Sequence, residues 1–267
     1  AMRELMQGKG GYEHNGQSLR IVDELERHYL PSFDGLNPTH ELRYGLMKHK
    51  TDYDKPLFKD LELPESASLE AQVANFADEI SYNAHDTDDG LLSGLLTFEK
   101  ARESELFREA EEYANKQVPS GESDLLRYQV VRRLKELQVT DLLEHSNARI
   151  ESIGFASSAD VLAWDKKDKL IDFSDDFRPK VVGLKKMLYS KLYMHRNVRR
   201  AMEKSTRFMK EMFERFVSEA YLMPGGFSKR IEVEGQDTHR VVCDFISGMT
   251  DRYALEQYKK LFDPDTW

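Results

Sequence analysis

Residues 78–91 read Asp-Glu-Ile-Ser-Tyr-Asn-Ala-His-Asp-Thr-Asp-Asp-Gly-Leu, which combines a helical period with many polar side chains. On a helix of 3.6 residues per turn, four of these side chains fall within roughly 100° of one another, those of Asp78, Tyr82, His85 and Asp86. The opposite side collects the apolar residues Leu69, Val73, Phe76, Ala77, Ile80 and Ala84, which predicts a core-facing stripe. The polar face indicates either a solvated acidic surface or a binding site.

Further short motifs lie on both sides of this helix in the sequence. They are His14-Asn-Gly-Gln-Ser-Leu-Arg20, Gly35-Leu-Asn37, Gly45-Leu-Met-Lys-His49, Ser68-Leu-Glu-Ala-Gln72 and Gly248-Met-Thr-Asp-Arg-Tyr-Ala254. Together with residues 78–91 and in this order, the motifs resemble the bacterial deoxyguanosinetriphosphate triphosphohydrolases, a branch of the HD-domain phosphohydrolases. Each motif is weak alone, but six in register over most of the chain favour the binding-site interpretation.

Helical periodicity dominates the sequence and predicts an all-α fold. Apolar residues recur at helical spacing in 125–153, in 199–221 and from 240 to 262. The aromatic and methionine stripe of 199–221 fits a cofactor box or ordinary core packing, and core packing is preferred. Residues 230–234 alternate briefly and predict either a hairpin arm or a loop.

The resemblance implies an HD-domain-type helical bundle that lacks its N-terminal part and continues into a C-terminal helical region. Residues 1–123 would be the remainder of the catalytic domain, and 124–267 a helical region packed on it. In this family the catalytic His and Glu and three of the four metal ligands precede the segment that begins here at His14. We therefore expect no catalytic residue in this chain. The pair His85-Asp86 follows the start of the helix with the final metal-binding aspartate and is not the metal-binding His-Asp pair.

Composition bounds the class of protein. Hydrophobic residues make up 40% and charged residues 33% of the 267, which is too apolar for disorder. The sequence contains no apolar run near the roughly 20 residues that span a bilayer, so no membrane partner is expected. The one cysteine, Cys243, lies in an apolar run, predicts a core position and fits a reducing bacterial cytoplasm. The net charge of −9 argues against broad nucleic-acid binding but leaves room for a local basic contact at Arg196, Arg199 and Arg200.

The resemblance assigns roles to individual residues. Asp78 matches the final metal-binding aspartate, and the metal would be Mg²⁺, Mn²⁺ or a similar divalent cation. Tyr82 matches a tyrosine that packs on the deoxyribose, and Asp86 an aspartate that reads the 3′-hydroxyl. The phosphates and the sugar would face His14, Asn15 and Gln17, and Lys48 matches a triphosphate-binding lysine. Taken alone, Lys48 could be a surface lysine and His14 a helix-capping or core histidine. Arg252 could contact a nucleotide or a neighbouring subunit, or pair with Asp251.

The implied reaction is hydrolysis of a deoxynucleoside triphosphate (dNTP) by a metal-activated water, which releases deoxynucleoside and inorganic triphosphate. The alternative is a catalytically inert helical module that binds nucleotides or serves in assembly. A third interpretation is a metal phosphohydrolase for another phosphate ester. Family members form dimers or rings, so a homo-oligomer is expected.

Overall fold

The computed structural model describes residues 1–26, 32–48, 66–164 and 169–265. These residues form helices and contain no strand, which confirms the all-α prediction. Helices α1–α13 span Met2–Leu5, His14–Arg20, His40–Lys48, Leu69–Leu92, Phe98–Ala101, Glu105–Asn115, Ser123–Ile153, Ser158–Leu162, Arg178–Leu188, Arg196–Ser218, Gly225–Glu232, Thr238–Ser247 and Asp251–Phe262. Two π-helical turns, Ile21–Leu25 and Tyr189–Tyr193, extend α2 and α9, and a 3₁₀ turn covers Ala220–Leu222. No helix within the described ranges is long and apolar enough to cross a membrane.

The chain divides into two compact units. The first contains the described residues of Ala1–Met47 and those from Arg200 onward, and the second contains Lys48 and Ser66 to Arg199 without 165–168. The expected boundary between residues 123 and 124 falls in the first turn of α7, and α7 packs against α6 within the second unit. The limits of the two compact units therefore differ from 1–123 and 124–267. The division of the chain into those two domains stays a prediction.

The second unit is built around the 31-residue helix α7. Helix α7 packs against α4 and α6, and α9 packs against the same two helices. Their apolar faces meet in one cluster, in which Ile80, Phe107, Leu134 and Leu184 are buried and Phe76 packs from the edge. Phe76 meets Phe173 edge-on with ring centroids 5.3 Å apart, a favoured aromatic geometry.

The first unit has its own core, which is formed mainly by α10 and α12 and to which α1 and α13 also contribute side chains. Its fully buried side chains include those of Met6, Met212, Phe216 and Val241. The aromatic and methionine stripe of α10 therefore packs in a core, which is the interpretation preferred from the sequence. Cys243 is buried in the same cluster. The prediction of a hairpin arm or loop at 230–234 is wrong for residues 230–232, because α11 runs through Glu232 and packs Phe227 and Ile231 on this core, whereas residues 233 and 234 form a turn.

The apolar stripe predicted for α4 is partly wrong. Ile80 and Ala84 are buried, whereas Val73 is 45% exposed and Ala77 is exposed too. Towards its C-terminal end the helix instead buries the polar side chain of Asn83, whose Nδ2 donates to Gln138 Oε1 of α7 at 2.9 Å. Because this hydrogen bond pairs a donor of one buried amide with the acceptor of the other, a polar pair takes a core position that the apolar pattern did not mark.

Several of the sequence motifs begin helices or permit close packing. Ser68 caps α4 by accepting from the backbone N–H of Ala71, and Thr250 caps α13 in the same way. A Cβ on Gly90 would lie 3.1 Å from Leu96 Cβ, so glycine lets α4 pack closely there. Gly35 has φ +59°, and a Cβ would lie 2.4 Å from backbone atoms of Val22 and Asp23.

Replacement of Gly35 by alanine should therefore lower the free energy of unfolding by at least about 2 kcal/mol, because it adds left-handed strain to a backbone clash. Urea unfolding of the 267-residue chain measures this. The control is Gly183→Ala in α9, where a Cβ meets nothing within 4 Å and the positive φ is absent. That variant should be neutral or stabilised by up to about 1 kcal/mol. Equal effects of the two substitutions would contradict the role assigned to Gly35.

Candidate functional site

Helix α2 carries the first group of candidate residues. Glu13 caps it, with its carboxylate accepting from the backbone N–H of Asn15 at 3.0 Å and of Gly16 at 2.8 Å. His14 opens the helix and is exposed, whereas Asn15 and Gln17 are buried. His14 is therefore accessible at the end of the helix, and Gln17 points into the first unit.

The side chain of Gln17 reaches a buried carboxylate, Asp244 of α12. Gln17 Nε2 donates to Asp244 Oδ1 at 3.2 Å, and Gln17 Oε1 accepts from Arg240 Nη2 at 2.8 Å. Arg20 binds Asp244 with two nitrogens, Nε at 3.0 Å from Oδ1 and Nη2 at 3.0 Å from Oδ2. Arg230 Nη2 donates to Oδ2 at 2.8 Å, and Arg240 Nε lies 3.4 Å from Oδ1. We call these five residues the Asp244 network.

The network keeps Asp244 ionised in the interior, where its side chain is 0% exposed. Burial opposes the charge, but hydrogen bonds from Arg20, Arg230 and Gln17 outweigh burial and hold the pKa of Asp244 below its ordinary value. Nearby, burial raises the pKa of the Cys243 thiol, so it is protonated at neutral pH and is not a nucleophile.

Helix α4 carries the second group of candidates, in the second unit. The helix is continuous from Leu69 to Leu92, so Asp78, Tyr82, His85 and Asp86 share one face, as the spacing predicts. Asp78 and Asp86 are half-buried, and His85 is exposed. Tyr82 is 60% exposed, which leaves an aromatic side chain accessible beside two carboxylates.

The acidic side chains of α4 are fixed by partners from neighbouring helices. Tyr193, in the π-helical turn that ends α9, donates its hydroxyl to Asp86 Oδ2. Arg127 of α7 pairs with Asp88. The hydrogen bond from Tyr193 orients Asp86 from outside its own helix, and π-helical turns are frequent at functional sites.

The described side chains do not form a complete site for a divalent metal. Within residues 1–26, 32–48, 66–164 and 169–265, no group of three or more His, Cys, Asp or Glu side chains is arranged to hold a metal ion. A hard divalent cation needs several oxygen or nitrogen ligands, so the side chains described here do not fit one on their own.

The candidate residues belong to different units. His14, Asn15 and Gln17 lie in the first unit, and Asp78, Tyr82 and Asp86 in the second. Lys48 is the last residue of α3, which Arg43 ties to Asp23 through a 2.8 Å ion pair, whereas His49 lies outside the described residues. Arg252 is exposed on α13, and Arg196, Arg199 and Arg200 are exposed on α10. Their functional roles stay predictions.

Comparison with known proteins shows the family. The phosphohydrolase-associated domain matches residues 171–260. A deoxyguanosinetriphosphate triphosphohydrolase-like protein of Geobacter sulfurreducens is 38% identical over 265 residues, which are 98% of this chain and 68% of that protein. The chain belongs to the deoxyguanosinetriphosphate triphosphohydrolase-like family.

Two further members of the family give the same result. The Bordetella pertussis protein of that name is 40% identical and the Caulobacter sp. (strain K31) protein 35% identical, with 67% and 70% of their lengths covered. The matched regions extend through all the motifs, since 98% to 100% of this chain is aligned. Membership in the deoxyguanosinetriphosphate triphosphohydrolase-like family supports a phosphohydrolase function.

The structure adds residues that the sequence motifs did not reveal. Tyr193 holds Asp86, and Asp244 with Arg230 and Arg240 holds helix α2. One signal for Asp244 was present, because a charged residue inside the apolar run Val241-Val-Cys-Asp-Phe-Ile246 of a helix needs a buried partner. No sequence signal indicated which cations, 224 residues away in the case of Arg20, would pair with it.

Replacement of Asp244 by asparagine should lower the free energy of unfolding at pH 7 by about 3 kcal/mol, because three arginines lose their buried counter-charge. The folded-state pKa of Asp244 lies below its ordinary value of 3.8, so its stabilisation is present above that pH and is lost as the pH falls through the folded pKa. Urea titrations between pH 7 and pH 2 should show the two proteins converging in acid. Exposed Asp175→Asn, the control, should stay within about 0.5 kcal/mol of wild type. A gap that persists unchanged at pH 2 would contradict this account.

Proposed function

We propose that this protein is a dNTP triphosphohydrolase, which converts a deoxynucleoside triphosphate and water to a deoxynucleoside and inorganic triphosphate. In this reaction a water oxygen bonds to the α-phosphorus, the bond from that phosphorus to O5′ breaks, and O5′ takes up a proton. One observation carries the proposal: Asp78, Tyr82 and Asp86 share an accessible face of α4 in a chain 38% identical to a protein named deoxyguanosinetriphosphate triphosphohydrolase-like.

The chemistry of each side chain supports its proposed role. A tyrosine ring packed on the deoxyribose leaves no room for a 2′-hydroxyl and so rejects ribonucleotides by steric clash. Asp86, held by Tyr193, accepts from the 3′-hydroxyl. His14, Asn15 and Gln17 of α2 and Lys48 of α3 are proposed to face the phosphates and the sugar, where a lysine supplies a flexible positive charge.

Metal dependence is part of this proposal. A divalent cation such as Mg²⁺ or Mn²⁺ would supply Lewis-acid assistance, with Asp78 as one ligand. The remaining ligands and the catalytic acid and base are proposed to lie in the part of the relatives' length that these 267 residues do not span. The 67% to 70% coverage of the relatives supports this arrangement.

We also propose that this protein forms a homo-oligomer and is located in the bacterial cytoplasm. Apolar side chains exposed on α7 at helical spacing, Val139 and Leu143, support a helical contact surface between copies. The cytoplasmic location is supported by the proposed substrate, because dNTP is intracellular, and by the bacterial origin of the relatives.

The 267-residue chain and the full-length protein should differ in hydrolytic activity. With Mg²⁺ or Mn²⁺, the full-length protein should release inorganic triphosphate from at least one dNTP, and the 267-residue chain alone should release none. Product analysis that resolves triphosphate from pyrophosphate and phosphate measures this. Turnover by the 267-residue chain at the full-length rate would mean that the metal site has been placed wrongly, and release of pyrophosphate would indicate another reaction.

Substitution of Tyr82 by alanine in the full-length protein should relax sugar selection. Opening the space at C2′ should reduce the ratio of kcat/KM for dNTP over the matching ribonucleotide by about 10- to 100-fold, the range of a steric filter. The control is Tyr221→Ala, which removes another exposed tyrosine in the first unit. An unchanged ratio in Tyr82→Ala would show that the ring does not contact the sugar.

A further inference from the structure

The Asp244 network closes a ring of polar contacts around Gln17, which consists of two hydrogen bonds and one ion pair. Gln17 Nε2 donates to Asp244, Arg240 donates to Gln17 Oε1, and Arg240 Nε pairs with Asp244. An amide has two N–H donors and two acceptor lone pairs, and the ring uses one of each. The plane of the amide is therefore fixed, and with it the direction of its second N–H and second lone pair.

The same network anchors helix α2 at both ends of its buried face. Arg20, the last residue of α2, donates hydrogen bonds to both carboxylate oxygens of Asp244. Arg240 also donates to the carbonyl of Gly11 at 3.2 Å, just before the helix begins. His14 and Asn15 lie between these two anchors, so the position of the helix start follows from the position of α12.

We propose that Asp244 is a positioning residue, which acts through Gln17 and Arg20 to hold the His14–Arg20 helix in the geometry that the substrate requires. This inference rests on the proposed function, in which His14, Asn15 and Gln17 face the phosphates and the sugar. Asp244 is buried and does not touch the substrate. Its carboxylate is the common acceptor that keeps the donors of α2, α11 and α12 in place.

The contacts of the three arginines of the Asp244 network fit a phosphate-binding site less well than they fit this positioning role. Arg20 directs Nε and Nη2 to Asp244 and Nη1 to Glu24, whereas Arg240 donates from its two Nη atoms to Gly11, Gln17 and Cys243 and forms an ion pair with Asp244. Arg230 directs Nε to Gln236 and Nη2 to Asp244. Guanidinium groups whose donors point at internal acceptors serve to fix structure and would have to break these bonds to bind an anion.

The first test measures hydrogen exchange in the 267-residue chain and needs no activity. Asp244→Asn keeps the shape of the side chain but lacks the charge and the second acceptor oxygen. Backbone amides of residues 14–20 should exchange at least tenfold faster in this variant, relative to amides of residues 209–216 in the core of the same unit. The matched control is Asp172→Asn in the second unit, which removes another buried carboxylate paired with an arginine, Arg178, and should leave residues 14–20 unchanged.

The second test is a double-mutant cycle in the full-length protein. Asp244→Asn and Gln17→Ala should each raise KM for the dNTP about tenfold with less than a threefold change in kcat, as expected for loss of one substrate contact. The double variant should raise KM no further than the larger single effect, because both substitutions remove the same contact. Arg240→Gln, which removes the donor to Gln17 Oε1 on a partly exposed side chain, serves as the second variant if Asp244→Asn does not fold.

The outcomes separate the two ideas. Independent, multiplicative effects on KM, or an unchanged KM in both Asp244→Asn and Arg240→Gln, would overturn the positioning role while the proposed function stands. Unchanged exchange in residues 14–20 would overturn it as well. Absence of triphosphate release by the wild-type full-length protein would overturn the proposed function, and the exchange experiment would still decide whether Asp244 holds α2.

Discussion

The first unit depends on one constraint, the burial of the charge of Asp244. An isolated carboxylate in an apolar interior is strongly unfavourable, so the fold must bring cationic donors to it. Those donors come from three places, Arg20 near the start of the chain and Arg230 and Arg240 near its end. The apolar core to which α10 and α12 contribute does not fix the position of α2, since apolar contacts are not directional. The directional bonds to Asp244 select one placement of α2 on that core.

In the second unit the comparable constraint is a polar contact within an apolar bundle. Asn83 of α4 and Gln138 of α7 satisfy each other in the interior, and Gln138 also donates to the carbonyl of Leu134. A one-residue shift of α4 would leave the Asn83 Nδ2 donor and the Gln138 Oε1 acceptor without each other, at a cost of about 1–3 kcal/mol for each unsatisfied group. The pair therefore fixes the rotation of α4 and leaves Tyr82 on its accessible side.

The motifs shared with the family serve two different purposes. Gly35, Ser68, Gly90 and Thr250 act on the backbone, by permitting a close approach or by capping a helix. His14, Tyr82 and His85 leave their side chains accessible on helices whose other faces are buried. A motif match alone does not separate these groups, because the same run of residues carries both. Gly90 supports packing only four residues after Asp86.

The sequence by itself determined the helical class, the long helices α7 and α10, the shared face of Asp78, Tyr82 and Asp86, and the family. These follow from local periodicity and from motifs read along the chain, which need no knowledge of distant neighbours. The sequence did not determine α11, the exposure of Val73, or the partners of Asp86 and Asp244. Helix α11 forms because Phe227 and Ile231 find a core, and Val73 is exposed because Asn83 fixes the rotation of α4. Tyr193 and Arg20 reach their carboxylates across 107 and 224 residues of chain. Only tertiary packing brings such groups together, because pairing between buried polar side chains depends on distance in space and leaves no period in the sequence.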